Sequence, residues 1–152
     1  MAVFLNNQFL ENEHASLNIM DLSIQRGYAA FDYLRTVNGK PLFLENHLDR
    51  FYTSAEAMRL PLSKTKKELT GIINELIKKS GLSQAGIRLI LTGGYSPDAY
   101  SLAEPNLLIT CNPQTLPSVA DFEKGISIIT YEYQRDLPQV KNTNYMMAVW
   151  LQ

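Results

Sequence analysis

Polar and apolar residues alternate at the start of the chain, switch to a helical period in the middle, and return to short apolar runs afterwards. Residues 3–5 and 8–10 are apolar runs around Asn6-Asn7. Asparagine tolerates positive φ, so this pattern predicts a tight hairpin. Residues 21–28 are mixed, with a turn suggested at Arg26-Gly27. Residues 31–37 alternate and are rich in aromatic and branched side chains, which predicts a strand. Asn38-Gly39 then provides the pair that a type I′ turn demands, with 41–44 as the return strand. Leu48, Phe51, Tyr52, Ala55 and Met58 recur at helical spacing, and Pro61 is the expected stop. Thr65 and Glu68 have capping-box spacing ahead of a second stripe, Leu69, Ile72, Ile73, Leu76 and Ile77. Lys78-Lys79 suit the C-terminal end of that helix and Gly81 its C′ position. Further strands are predicted at 87–92, 107–111 and 126–133, and a proline-containing connection at 114–124. Strands flank a two-helix middle without regular strand–helix alternation, so the fold class is α+β. Residues 141–152 read as the start of an almost wholly apolar helix, capped by Asn142, Thr143 or Asn144.

Composition narrows the classes. The 152 residues are 45% hydrophobic and 19% charged, with a net charge of −1. That excludes a disordered tail and gives no bulk-charge reason to expect nucleic acid or an anionic membrane. No apolar run approaches a membrane span. Cys111 is the single cysteine, so no internal disulfide and no thiolate metal cluster is expected. The amino terminus lacks a basic region followed by a long apolar stretch, so a cytoplasmic protein is the expectation. The chain stops inside an apolar segment at Val149-Trp150-Leu151-Gln152, which reads as a truncation.

Candidate chemistry rests on few residues. Lys141 precedes the expected helix start, where a positive dipole end and apolar neighbours would favour a neutral amine. Such a lysine is an imine-forming nucleophile; a solvated lysine is the alternative. Arg50 lies beside the first helix's apolar stripe, next to Phe51 and diagonal to His47. It could hold a phosphate with its planar fork, or pair with Asp49 or Glu45 on a solvated face. Gly93-Gly94 lacks the rest of a phosphate loop and reads as a turn. His14 and His47 have no metal-ligand spacing. The tyrosines and phenylalanines of the strands serve either as core and interface or as walls for a planar ligand.

Taken in order, Arg26-Gly27-Tyr28, the segment 31–36 (Phe-Asp-Tyr-Leu-Arg-Thr), 38–44, His47-Leu48-Asp49-Arg50-Phe51, Ser54-Ala55 and the segment 140–145 (Val-Lys-Asn-Thr-Asn-Tyr) resemble the class IV, or fold-type IV, aminotransferases. These pyridoxal-phosphate enzymes include branched-chain aminotransferases, D-amino acid aminotransferases and aminodeoxychorismate lyases. The resemblance implies a two-layer α+β domain, an antiparallel sheet with two helices packed on it, and a homodimer with active sites near the subunit interface. It implies that Lys141 carries pyridoxal 5′-phosphate and shuttles the proton of transamination. Arg50 would hold the cofactor phosphate and Tyr145 would lie beside the ring. Phe31 and Tyr33 would border the substrate. The implied activity is amino transfer between an amino acid, branched-chain or hydrophobic, and a 2-oxo acid. A lyase of the aminodeoxychorismate type and an inactive dimerisation domain are the alternatives.

Departures shape these expectations. Ala29-Ala30 form a shorter bridge than the family has before its strand. The loop 96–100 carries Asp98 where D-amino acid aminotransferases carry a basic pair, so that substrate class is disfavoured. Family members continue into a second domain that completes the cofactor site. The expected organisation is therefore a domain at 1–118, followed at 119–152 by the connection and the truncated start of another.

Overall fold

The two asparagine turns form as predicted. In this computed structural model, which describes residues 2–152, Asn6 takes φ 56° between β1 (Ala2–Leu5) and β2 (Gln8–Glu11). Met1, where the expected first domain begins, lies outside the described residues. Asn38 and Gly39 take φ 51° and 70° between β3 (Ala29–Val37) and β4 (Lys40–Pro41). The return strand is thus two residues long instead of spanning 41–44. Pro41 has no N–H to extend the ladder, and Phe43, at φ 48°, already turns into α2 (Leu44–Ala57). The preceding α1 (Leu22–Arg26) is one short turn, capped by Asp21 and closed by Gly27 in the left-handed region.

α2 ends before Pro61 reaches it. Arg59 adopts φ 57°, and the Leu60 N–H closes on the Ala55 carbonyl. The second helix, α3 (Lys66–Ser80), has the expected Thr65–Glu68 capping box and a left-handed Gly81 at its end. Two more strands, β5 (Ala85–Thr92) and β6 (Leu107–Pro113), complete an antiparallel sheet in the order β2-β1-β6-β5-β3-β4. β3 pairs with β5 from Ala29 opposite Thr92 to Arg35 opposite Gly86.

One face of that sheet meets both helices: α2 lies on β3, and α3 on β1 and β6. Phe51 and Leu48 of α2, and Leu69, Ile73 and Leu76 of α3, interleave with Leu34, Ile87, Leu89, Ile109 and Cys111 in one buried cluster. Each such side chain contributes roughly 1.5–3 kcal/mol by leaving water. The α+β class and the two-helix layer are as expected.

Beyond β6 the chain departs from prediction. No strand forms at 126–133; Ile126 and Ile128 are 80% and 78% exposed. The connection instead holds α4 (Val119–Lys124), started by a Ser118–Asp121 capping box. Branched residues make a strand only where a ladder edge receives them. The edge of β3 at residues 29–31 is taken by another segment, described below. The last helix, α5 (Met146–Trp150), is short, starts after Tyr145, and has no side-chain cap. Among the described residues no helix is long and apolar enough to cross a membrane.

Candidate functional site

Lys141 is held by its own backbone. Val140 is buried in the helix–sheet core, and Asn142 bridges to Ala30 on the edge of β3. The Phe31 N–H donates to the Lys141 carbonyl at 2.9 Å. The Lys141 N–H donates to Ser54 Oγ of α2 at 3.1 Å. Two residues further, the Thr143 N–H donates to the Ala29 carbonyl, and Thr143 Oγ1 donates to the Gly27 carbonyl at 2.9 Å. Both polar groups of the Lys141 backbone are therefore anchored, one to the sheet and one to the helix layer.

Antiparallel pairing puts Lys141 on the same face of β3 as Phe31 and Tyr33, opposite the core-facing Ala30 and Leu34. Its Nζ lies 4.3 Å from the Phe31 ring centroid and 6.0 Å from that of Tyr145. The two rings meet edge to face, 5.4 Å apart. Phe31, Tyr33, Arg88, Ile90, Lys141 and Tyr145 are among the residues lining a cavity of about 640 Å³. Space for Tyr33 comes from β5: a Cβ on Gly86 would stand 2.1 Å from the Tyr33 hydroxyl. Four expected site residues, Lys141, Tyr145, Phe31 and Tyr33, thus share one cavity. The expected helix dipole does not act on Lys141, because α5 begins only at Met146 and the effect fades within a turn. Asn142 and Thr143 do not cap that helix; they are spent holding the lysine segment to itself and to the sheet.

Arg50 pairs with neither Asp49 nor Glu45, the alternative to a phosphate role. Its Nε and Nη2 donate to the two carboxylate oxygens of Asp32, at 2.7 and 2.8 Å. Asp32 is fully buried, whereas the Arg50 side chain is 51% exposed. His47 Nδ1 also lies 2.8 Å from Asp32 Oδ1. An ionised carboxylate only accepts, so Nδ1 carries the ring proton, and its 3.2 Å approach to Arg50 Nη2 is a contact of two donors. Burial opposes ionisation of Asp32, but Arg50, His47 and the Tyr33 N–H outweigh it and hold the carboxyl below its usual value. The Asp32 hydrogen bond in turn raises the Arg50 guanidinium. Arg50 Nη1 makes no hydrogen bond among the described residues. Arg50 does not line the Lys141 cavity. Asp32 alternates with Phe31 and Tyr33, so this pair rises on the helix side of β3, with Tyr145 close enough to act on Arg50 electrostatically.

Sequence reading missed Asp32, Ser54 and Arg88. Two of them carried a signal. Asp32 stands in the apolar phase of its strand between Ala30 and Leu34, and Ser54 interrupts the stripe of Phe51 and Ala55. A polar group in a buried phase requires a partner. Arg88 alternates normally on the open face of β5 and carried none. Asp98 is tied up locally: the Ser101 hydroxyl and N–H, the Tyr100 N–H and the Ser96 hydroxyl hold it well below the usual carboxylate range. It is not among the residues lining the cavity.

The site thus combines a lysine pinned at both backbone groups, two aromatic walls and an arginine braced by a buried acid. The family model described as amino-transferase class IV matches residues 29–152, and the chain belongs to that family, whose members are pyridoxal-phosphate enzymes. It is 29% identical over 157 residues to a Methanocaldococcus jannaschii protein provisionally named a branched-chain-amino-acid aminotransferase, covering 98% of this chain and 54% of the other. It is 31% identical over 133 residues to the D-alanine aminotransferase of Staphylococcus epidermidis, covering 86% and 47%. The branched-chain amino acid aminotransferase of Escherichia coli shares the fold, with a TM-score of 0.82 at 21% identity over 97% of this chain and 52% of that one. The chain spans about half the length of the curated relatives it matches.

Proposed function

We propose that this chain is the amino-terminal part of a pyridoxal-phosphate-dependent aminotransferase, with 1–118 as its first domain and 119–152 as the connection and the opening of a second. The observation that supports it most is the seat of Lys141, whose amine faces an aromatic cavity while its backbone is tied to α2 and β3. The donor set suits the cofactor: a primary amine for its aldehyde, a braced guanidinium with a spare N–H for its phosphate, and flat side chains for its ring. When bound, pyridoxal phosphate supplies an electron sink for the substrate carbon that loses its proton.

The chain's own residues have separable tasks in this reading. Lys141 Nζ would hold the cofactor through its aldehyde, and as a free amine it would move a proton to and from the substrate. Arg50 Nη1 binds the phosphate while Asp32 fixes the plane of the guanidinium. Phe31 and Tyr145 shield the amine from water, and Tyr33 borders the substrate. Phe31, Ile90 and Val149 give the cavity an apolar lining, which favours a branched-chain or other hydrophobic amino acid with a 2-oxo acid as acceptor. The working form in this reading is a cytoplasmic homodimer.

The test is covalent. Incubation with pyridoxal phosphate, borohydride reduction and peptide mapping should place the label on Lys141 above all other lysines. A label scattered over surface lysines, without enrichment at 141, would sink the proposal.

A further inference from the structure

Ser54 belongs to the Ser54-Ala55 pair that the assigned roles leave without a task. It is buried at 1% exposure, four residues after Arg50 on the same face of α2. A serine inside a helix usually bonds its own preceding turn. Here, among the described residues, the only hydrogen bond to its hydroxyl comes from the Lys141 N–H, 87 residues away. The same stretch of α2 therefore carries the arginine braced by Asp32 and the acceptor that holds the lysine backbone. About 6 Å of helix rise separates the two.

We propose that Ser54 is a positioning residue: its Oγ holds the Lys141 backbone to α2 and so keeps the lysine in register with Arg50. The inference rests on the reading of Lys141 given above. The Phe31 N–H fixes the carbonyl side of Lys141, and Ser54 fixes the amide side. With the second tether removed, the residue can pivot about the first, and its Nζ leaves the position over the Phe31 ring. Arg50 stays in place, because its own bonds go to Asp32.

The experiment compares the intact chain with Ser54→Ala and with Ser54→Cys, which preserves the side-chain volume but offers only a weak acceptor. Two quantities are read: hydrogen exchange at the Lys141 amide without ligand, and the rate at which pyridoxal phosphate is trapped on Lys141 by borohydride. Both variants should speed exchange and slow trapping by about five-fold, the ratio equivalent to one hydrogen bond of about 1 kcal/mol. Trapping at the surface lysines should not change. Wild-type behaviour in Ser54→Cys would show that only volume matters and would overturn the proposal, as would unchanged exchange in either variant. Should Ser54→Ala fail to fold, Ser54→Cys decides alone. Exchange does not involve the cofactor, so a wild-type chain that traps nothing at Lys141 would count against the proposed function, and exchange would still decide the tether.

Discussion

β3 and residues 126–133 are both rich in branched and aromatic side chains, yet they meet opposite fates. In β3, Ala30, Asp32, Leu34 and Thr36 are all buried on the helix side of the sheet, with β5 along one edge and the Lys141 segment along part of the other. Residues 126–133 pair with no strand among the described residues, and Ile126, Ile128 and Ile129 stand in solvent. Composition does not distinguish the two. A ladder edge and a covering layer do, because a strand is stabilised by what its faces and edges touch.

Substitutions in the two regions should separate by size. Phe51→Ala empties a fully buried site between α2 and the sheet and should cost about 3–5 kcal/mol, read from the denaturant midpoint. Asp32→Asn keeps the shape but removes the charge from Arg50 and His47, and should cost roughly 1–3 kcal/mol at neutral pH. Its sign with pH is definite. The folded carboxyl of Asp32 titrates below its unfolded value of about 3.9, so its contribution is present above pH ~4 and is lost as pH falls further. The stability gap between wild type and Asp32→Asn should narrow over that acid range; a gap that widens there would contradict the pairing.

Arg50 requires a gentler change than alanine, which would strand the Asp32 carboxylate in the interior. Arg50→Lys keeps a cation for Asp32 but loses the planar fork, whose separate nitrogens could hold Asp32 and a phosphate at once. We expect folding within about 1 kcal/mol of wild type and pyridoxal-phosphate retention reduced about tenfold, measured by equilibrium dialysis. Equal losses in both would mark the arginine as structural. At the far end of the scale, Ile128→Ser should change stability by no more than about 0.5 kcal/mol in this chain, since the side chain is exposed. A loss near that of Phe51→Ala would mean that 126–133 is packed after all.

Much of the scaffold was legible because its signals are local. Asn38-Gly39, the Thr65–Glu68 box, Gly81 and the two helical stripes each act over a few residues, and each forms as read. The candidate site was legible by resemblance at Lys141, Tyr145, Phe31 and Tyr33, which share a cavity. Arg50 was singled out, but not the acid that it pairs with. Its neighbours in sequence, Asp49 and Glu45, gave way to an acid 18 residues away, because a buried carboxylate must have donors and only a folded strand brings Asp32 under α2. The helix dipole expected at Lys141 failed for a similar reason: Asn142 and Thr143, two of the residues read as its cap, bond elsewhere, and the helix starts later.

The turns, the capped helices, the apolar stripes and the polar residues set in buried phases are all written locally in the chain. Those features depend on φ preferences and on periods of two and 3.6 residues, which act within a few positions. That residues 140–143 take the free edge of β3, that Ser54 receives the Lys141 N–H, and that 126–133 remains without a ladder emerge only in the folded chain. Those outcomes turn on which distant groups satisfy one another's hydrogen bonds once water is excluded, and no local pattern encodes that choice.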